Sequence, residues 1–183
     1  MQLLANALAT ALGLTVLILV LAPVSGAHFN PVVSVVDAAF GHRPWSEVAR
    51  YLPAQVIGCI AGAMLANVMF DAPAVEWSTT DRMSGPHFLA EVIATAGLIL
   101  VVFSLARTNR SALAAPAVGA YIGAACFFTS STSFANPAIT IGRMFTDTFA
   151  GIAPSSSLGY IAAQVLGAAI GLALIRSLFP VAR

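Results

Sequence analysis

The chain has 183 residues, of which 59% are hydrophobic and only 8% charged, with a formal net charge of +1. A soluble domain carries about 25% charged residues, so this chain lacks the polar surface to face water on all sides, and its mean hydropathy of +0.91 points the same way. That net charge leaves no basic face for nucleic acid, all the cations are Arg with no Lys, and the chain reads as an all-α polytopic membrane protein.

A spanning helix needs about 20 mostly apolar residues, and five stretches reach that length. The first runs from Leu3 to Leu21. No positive segment precedes it and no cleavage site follows, so it is a retained span rather than a secretory leader. Next comes Pro31–Phe40, apolar but too short to span, then a second span from Val48 to Phe70. The third span is His87–Leu105, the fourth Leu113–Phe128 and the fifth Leu158–Phe179, with a second short segment at Pro137–Phe149. Apolar segments of 10–14 residues are often re-entrant. Cys59 and Cys126 lie inside apolar runs and read as small buried hydrophobes rather than a disulfide framework.

Arg placement orients the spans. Arg43, Arg50, Arg107, Arg110, Arg176 and Arg183 fall in loops that the span count puts on one side, against Arg82 and Arg143 on the other. Positive-inside counting makes the first side cytoplasmic. The order of span, short Asn-Pro helix and span occurs over residues 3–70 and again over residues 113–179, with His87–Leu105 ahead of the second copy. The two short helices then start from opposite faces, an inverted repeat that places a site at the midplane where broken helices meet. The chain reads as one channel domain over residues 1–183, with an incomplete first repeat (1–70) and a second repeat (86–183).

Asn is a strong N-cap, and Pro suits the first helical position because its missing N–H would be orphaned there. A single Asn-Pro could begin any helix. Here Asn30-Pro31-Val32 follows Ser25-Gly26-Ala27-His28-Phe29, and Asn136-Pro137-Ala138 follows Ser130-Ser131-Thr132-Ser133-Phe134-Ala135. Non-helical backbone at membrane depth is tolerated only against protein or a water-filled cavity, so these loops are expected to line one. Each helix N-terminus adds about half a positive charge. In a narrow pore that disfavours cations and protons.

The segments SGAHFNPVVS and SFANPAIT resemble the aquaporin and aquaglyceroporin family, the major intrinsic proteins, and the resemblance covers nearly the whole chain. It implies that both half-helices dock end to end, with Asn30 and Asn136 donating to solute at the pore centre and Pro31, Val32, Pro137 and Ala138 completing the motifs. Val32 stands where the family usually has Ala. In AEVIATAG the resemblance makes Glu91 a brace that accepts backbone N–H bonds from a re-entrant loop; the competing reading is a proton relay, for which a lone acid is poorly suited. His28 is the family's loop His, a structural residue rather than a metal ligand. No role follows for Asp37. The Gly58/Gly62, Gly119/Gly123 and Gly167/Gly171 pairs place small residues one turn apart and predict close helix crossings.

Two departures bear on function. Most members have Arg directly after the second Asn-Pro-Ala; this chain has Ile139, with Arg143 one turn on. The remaining filter positions implied by the resemblance are Leu12 (from a window beginning at Thr10), Ala124 and Ser133. Ile beside Ala and Ser widens the opening, which suits water, glycerol-like polyols and arsenite as its neutral hydroxide. With TIGRMFTDTFAGI, the pattern resembles an Arg-less bacterial branch often linked to arsenite efflux. The family also has six spans where five are found here, so the expected partner of His87–Leu105 is absent from the sequence. The expected protein is a passive homotetrameric channel in a bacterial inner membrane, without enzymatic activity, metal or cofactor, in contact only with lipid and small neutral solutes. A non-conducting truncated or structural membrane protein and an ion-coupled transporter are the alternatives. The transporter lacks the acidic pairs that a coupling ion would need.

Overall fold

Caps and prolines set the element boundaries. The computed structural model describes residues 1–180, which leaves Arg183 outside the described residues. Seven α-helices follow in chain order: α1 (Gln2–Ser25), α2 (Pro31–Ala39), α3 (Trp45–Met69), α4 (Gly85–Arg107), α5 (Ala114–Phe128), α6 (Pro137–Gly142) and α7 (Pro154–Leu178). A 3₁₀ turn at Ser111–Leu113 leads into α5 and another at Arg143–Phe145 ends α6. The helices α1, α3, α4 and α7, and α5 with its leading turn, are long and apolar enough to cross a membrane. They begin within a few residues of the expected spans, and the extra turns have local causes. Ser84 caps α4 by accepting from the His87 N–H at 3.2 Å, and Pro154 opens α7 at a position where no donor is lost.

The second short segment is shorter than expected. It was expected to run to Phe149, yet α6 stops at Gly142 and passes into the 3₁₀ turn, whose carbonyls are taken by other parts of the chain. Arg143 O accepts from Ile152 N at 3.2 Å, Met144 O from Ser78 N at 2.9 Å and Phe145 O from Glu76 N at 3.3 Å. Carbonyls committed to a distant connector are not available to continue a helix.

The helix α4 is the centre of the bundle. Of its apolar window 56% is buried, against 11% for α1 and 6% for α3. It packs on α7 and α5, while α1 packs on α5; α2 and α6 each wedge between α3 and α7 and touch one another. The core joins Val32, Val33 and Val36 of α2 to Leu98, Ile99 and Phe103 of α4.

Two of the three glycine pairs make the crossings expected of them. A Cβ on Gly167 would fall 2.5 Å from Val92 O, and one on Gly171 2.7 Å from Ile99 Cβ. On α5, Gly123 is set as tightly against Ala11 of α1, at 2.8 Å. The expectation for Gly58 and Gly62 fails: nothing lies within 4 Å of a Cβ at either position. They border open space, because α3 has no long helix packed on that face.

Candidate functional site

The two Asn-Pro tips meet in the middle of the molecule and are cross-linked there. Asn30 and Asn136 both adopt extended backbone as N-caps. Asn30 Oδ1 accepts from Val32 N at 3.1 Å, and Asn136 Oδ1 accepts from Ala138 N at 2.9 Å and Ile139 N at 3.3 Å. Each amide nitrogen donates across the junction, Asn30 Nδ2 to Ala135 O and Asn136 Nδ2 to Phe29 O, both at 2.8 Å. A primary amide has two N–H donors, so one on each Asn is left for the cavity that both residues line. Pro31, Val32, Pro137 and Ala138 are buried where α2 and α6 abut; they support the tips and lie off this cavity.

The loops before the tips follow one backbone pattern. Gly26, Ala27 and Phe29 take positive φ of 79°, 48° and 49°, and Thr132, Ser133 and Ala135 take 62°, 50° and 47°. These are the same offsets from the two Asn residues. Left-handed backbone at several non-Gly positions is strained and persists only where its surroundings over-determine it. In the second loop the determinant is Glu91, which is fully buried. Its carboxylate accepts from Ser131 Oγ at 2.6 Å, Phe134 N at 2.9 Å, Ala135 N at 2.8 Å and Gln164 Nε2 at 2.7 Å.

No carboxylate holds the first loop in this way. Tyr51 donates to Ser25 O at 2.8 Å, and His28 Nδ1 lies 3.0 Å from Ser34 Oγ. Gln55, which reaches Ser34 as Gln164 reaches Thr140, donates from Nε2 at 3.0 Å and leaves a buried Oε1 without a partner. His28 Nε2 is 3.6 Å from Asp37 Oδ2, a carboxylate that also contacts His42 and Arg43. Asp37, without a role from sequence, is the acidic centre of that cluster. Among the described residues no group of three His, Cys, Asp or Glu is placed to hold a metal ion.

The cavity has a volume of about 1480 Å³ and runs past both Asn residues. Ser133 and Ile139 line it. Leu12 and Ala124 do not. Leu12 is 67% exposed on the outer face of α1, and Ala124 is exposed on α5. The physical reason is helical phase: each residue turns the side chain by about 100°, and the α1 wall of the cavity is made by Thr10 and Gly13 instead, the α5 wall by Val118 and Ile122. Arg143 also borders the cavity, its guanidinium carbon 4.4 Å from the centre of the Phe134 ring. Sequence reading missed Gln164, Gln55 and Thr140. The available signal was the hydroxyl four residues after each Asn, at Ser34 and Thr140.

Comparison with known proteins adds an independent line. A family model described as Major intrinsic protein matches residues 1–134. Over all 183 residues the chain is 45% identical to the aquaglyceroporin AqpS of Rhizobium meliloti (strain 1021), covering 78% of that protein. It is 34% identical to aquaporin NIP2-1 of Zea mays over 76% of this chain and 49% of the relative. With aquaporin NIP1-3 of Oryza sativa subsp. japonica it shares 37% identity over 87% of this chain and 57% of the relative. The chain therefore spans about half the length of these plant relatives.

Proposed function

The chain belongs to the major intrinsic protein family, and on that premise we propose that it forms a passive pore for small uncharged solutes: water, glycerol-like polyols and arsenite as its neutral hydroxide. The observation that carries this reading is the pair of cross-linked amides. Asn30 and Asn136 each keep one N–H for an oxygen passing through the cavity, while their oxygens are tied to their own helix starts. Two half-helix N-termini facing one point also disfavour cations where the tips meet. Ile139 in place of a guanidinium supports admission of solutes larger than water.

The reading includes a single domain of two repeats, residues 1–70 and 86–183, assembled as a homotetramer in a bacterial inner membrane. Arsenite conduction is the finest part of the proposal, and its support is the apolar, uncharged Ile139. A proton relay through Glu91 is disfavoured, since both its oxygens are already occupied by donors. Reconstituted proteoliposomes test the proposal by stopped-flow light scattering. The expected result is water and glycerol permeability well above protein-free vesicles, with arsenous acid entering as well. Vesicles no more permeable than the lipid control would overturn the channel reading, and water flux alone would overturn the wide-filter part.

A further inference from the structure

The arginines around the pathway differ in what holds them. Arg43 contacts Asp37 at 3.4 Å and Glu47 at 2.7 Å. Arg82 donates to Gly151 O and Phe149 O, both at 2.6 Å. Arg107 donates to Phe179 O at 3.0 Å and Arg176 to Ala39 O at 3.3 Å. The Arg143 guanidinium forms no hydrogen bond or ion pair among the described residues. It leans on the Phe134 ring at 4.4 Å and borders the cavity beside Ser133 and Ile139. Its backbone, in contrast, is fixed: the N–H donates to Ile139 O and Ile141 O, and the carbonyl accepts from Ile152 N at 3.2 Å.

A fixed base, a ring that limits the swing of the side chain and donors left over make a pre-organised hydrogen-bonding group. Arg82 lies 5.4 Å from the same ring, and no carboxylate pairs with either guanidinium among the described residues. The carboxylates on this face, Asp81 and Asp147, are instead held by Ser156 and Met83 and by Thr79. At the other end, the acids Asp37 and Glu47 offset Arg43.

We propose that Arg143 is the specificity-determining residue of this mouth, donating hydrogen bonds to the oxygens of uncharged hydroxylated solutes and turning cations away. It acts about 6 Å further along the helix axis than Ile139. This leaves a wide opening at Ile139 with a polar, charged collar beyond it. The proposal rests on the channel reading above.

The test compares wild type with R143M, R143K and F134L in proteoliposomes, measuring glycerol and water permeability and proton leak under an imposed potential. Loss of one hydrogen bond from a charged donor should lower the glycerol-to-water ratio of R143M about tenfold and raise proton leak. R143K should keep cations out but recover only part of the ratio, since an ammonium lacks the planar fork. F134L should lower the ratio by releasing the side chain from its stack. An unchanged ratio with unchanged leak in R143M overturns the proposal. Where R143M loses water flux as well, a sign of misfolding, R143K decides, and a wild-type ratio there overturns it. A wild-type chain that conducts neither solute overturns the channel reading itself, an outcome that no change in ratio can imitate.

Discussion

A carboxylate sealed inside a bundle is tolerable only when donors surround it, and Glu91 has four, at 2.6 to 2.9 Å. Replacing it with Gln turns an amide N–H₂ toward groups that are themselves donors. E91Q should lose about 3 kcal/mol, read as a lower thermal midpoint in detergent, with E91D intermediate; equal midpoints for all three would refute the brace. The need for a partner was legible in the sequence, because a lone acid in an apolar span demands one. Its actual partner Gln164 was not, since a Gln in an apolar run has no spacing signal. Leu12 and Ala124 were misplaced for a related reason: α1 and α5 are apolar all round, so composition gives no phase. The position of Arg143 four residues after Ile139 was plain in the sequence. Its direction was not, because Phe134 and the Ile152 N–H set it from elsewhere in the fold.

Among the elements, length and hydropathy located the spans, and Asn-Pro located the starts of α2 and α6. The early end of α6 was hidden, since the donors that stop it belong to residues remote in sequence, among them Glu76 and Ser78. The glycine pairs divide for the same reason: spacing reveals a small-residue stripe but not whether a helix covers it. That difference is measurable. In G167L the side chain meets the Val92 carbonyl, which a Cβ alone would approach to 2.5 Å. Overpacking there should cost more than about 3 kcal/mol and appear as loss of the monodisperse peak in size-exclusion chromatography. G58L has open space before it and should elute and melt as wild type while its bulk narrows the cavity and lowers solute flux. The reverse ranking of the two variants would contradict this packing.

On the scale of the whole molecule, the connector between α3 and α4 is tied down by two exposed carboxylates. The Ser156 hydroxyl and the Met83 N–H hold Asp81 below the usual carboxylate range, and the Thr79 N–H and hydroxyl do the same for Asp147. A carboxylate whose folded pKa is depressed adds stability above its unfolded pKa and loses it as pH falls through the folded one. Connector protection in hydrogen exchange should therefore be flat from pH 7 to about pH 5 and decline below about pH 4. Loosening that begins above pH 5 would contradict this account. The exchanged amide bonds at the centre reach further still. Because Asn30 is tied to Ala135 O and Asn136 to Phe29 O, a load on either loop is shared by the other. Glu91 grips only the second loop, yet through Ala135 it also steadies Asn30. The molecule behaves as a clasp with one anchored jaw, so strain released at α4 should loosen the second loop first and pass to Asn30 on the opposite jaw through Ala135.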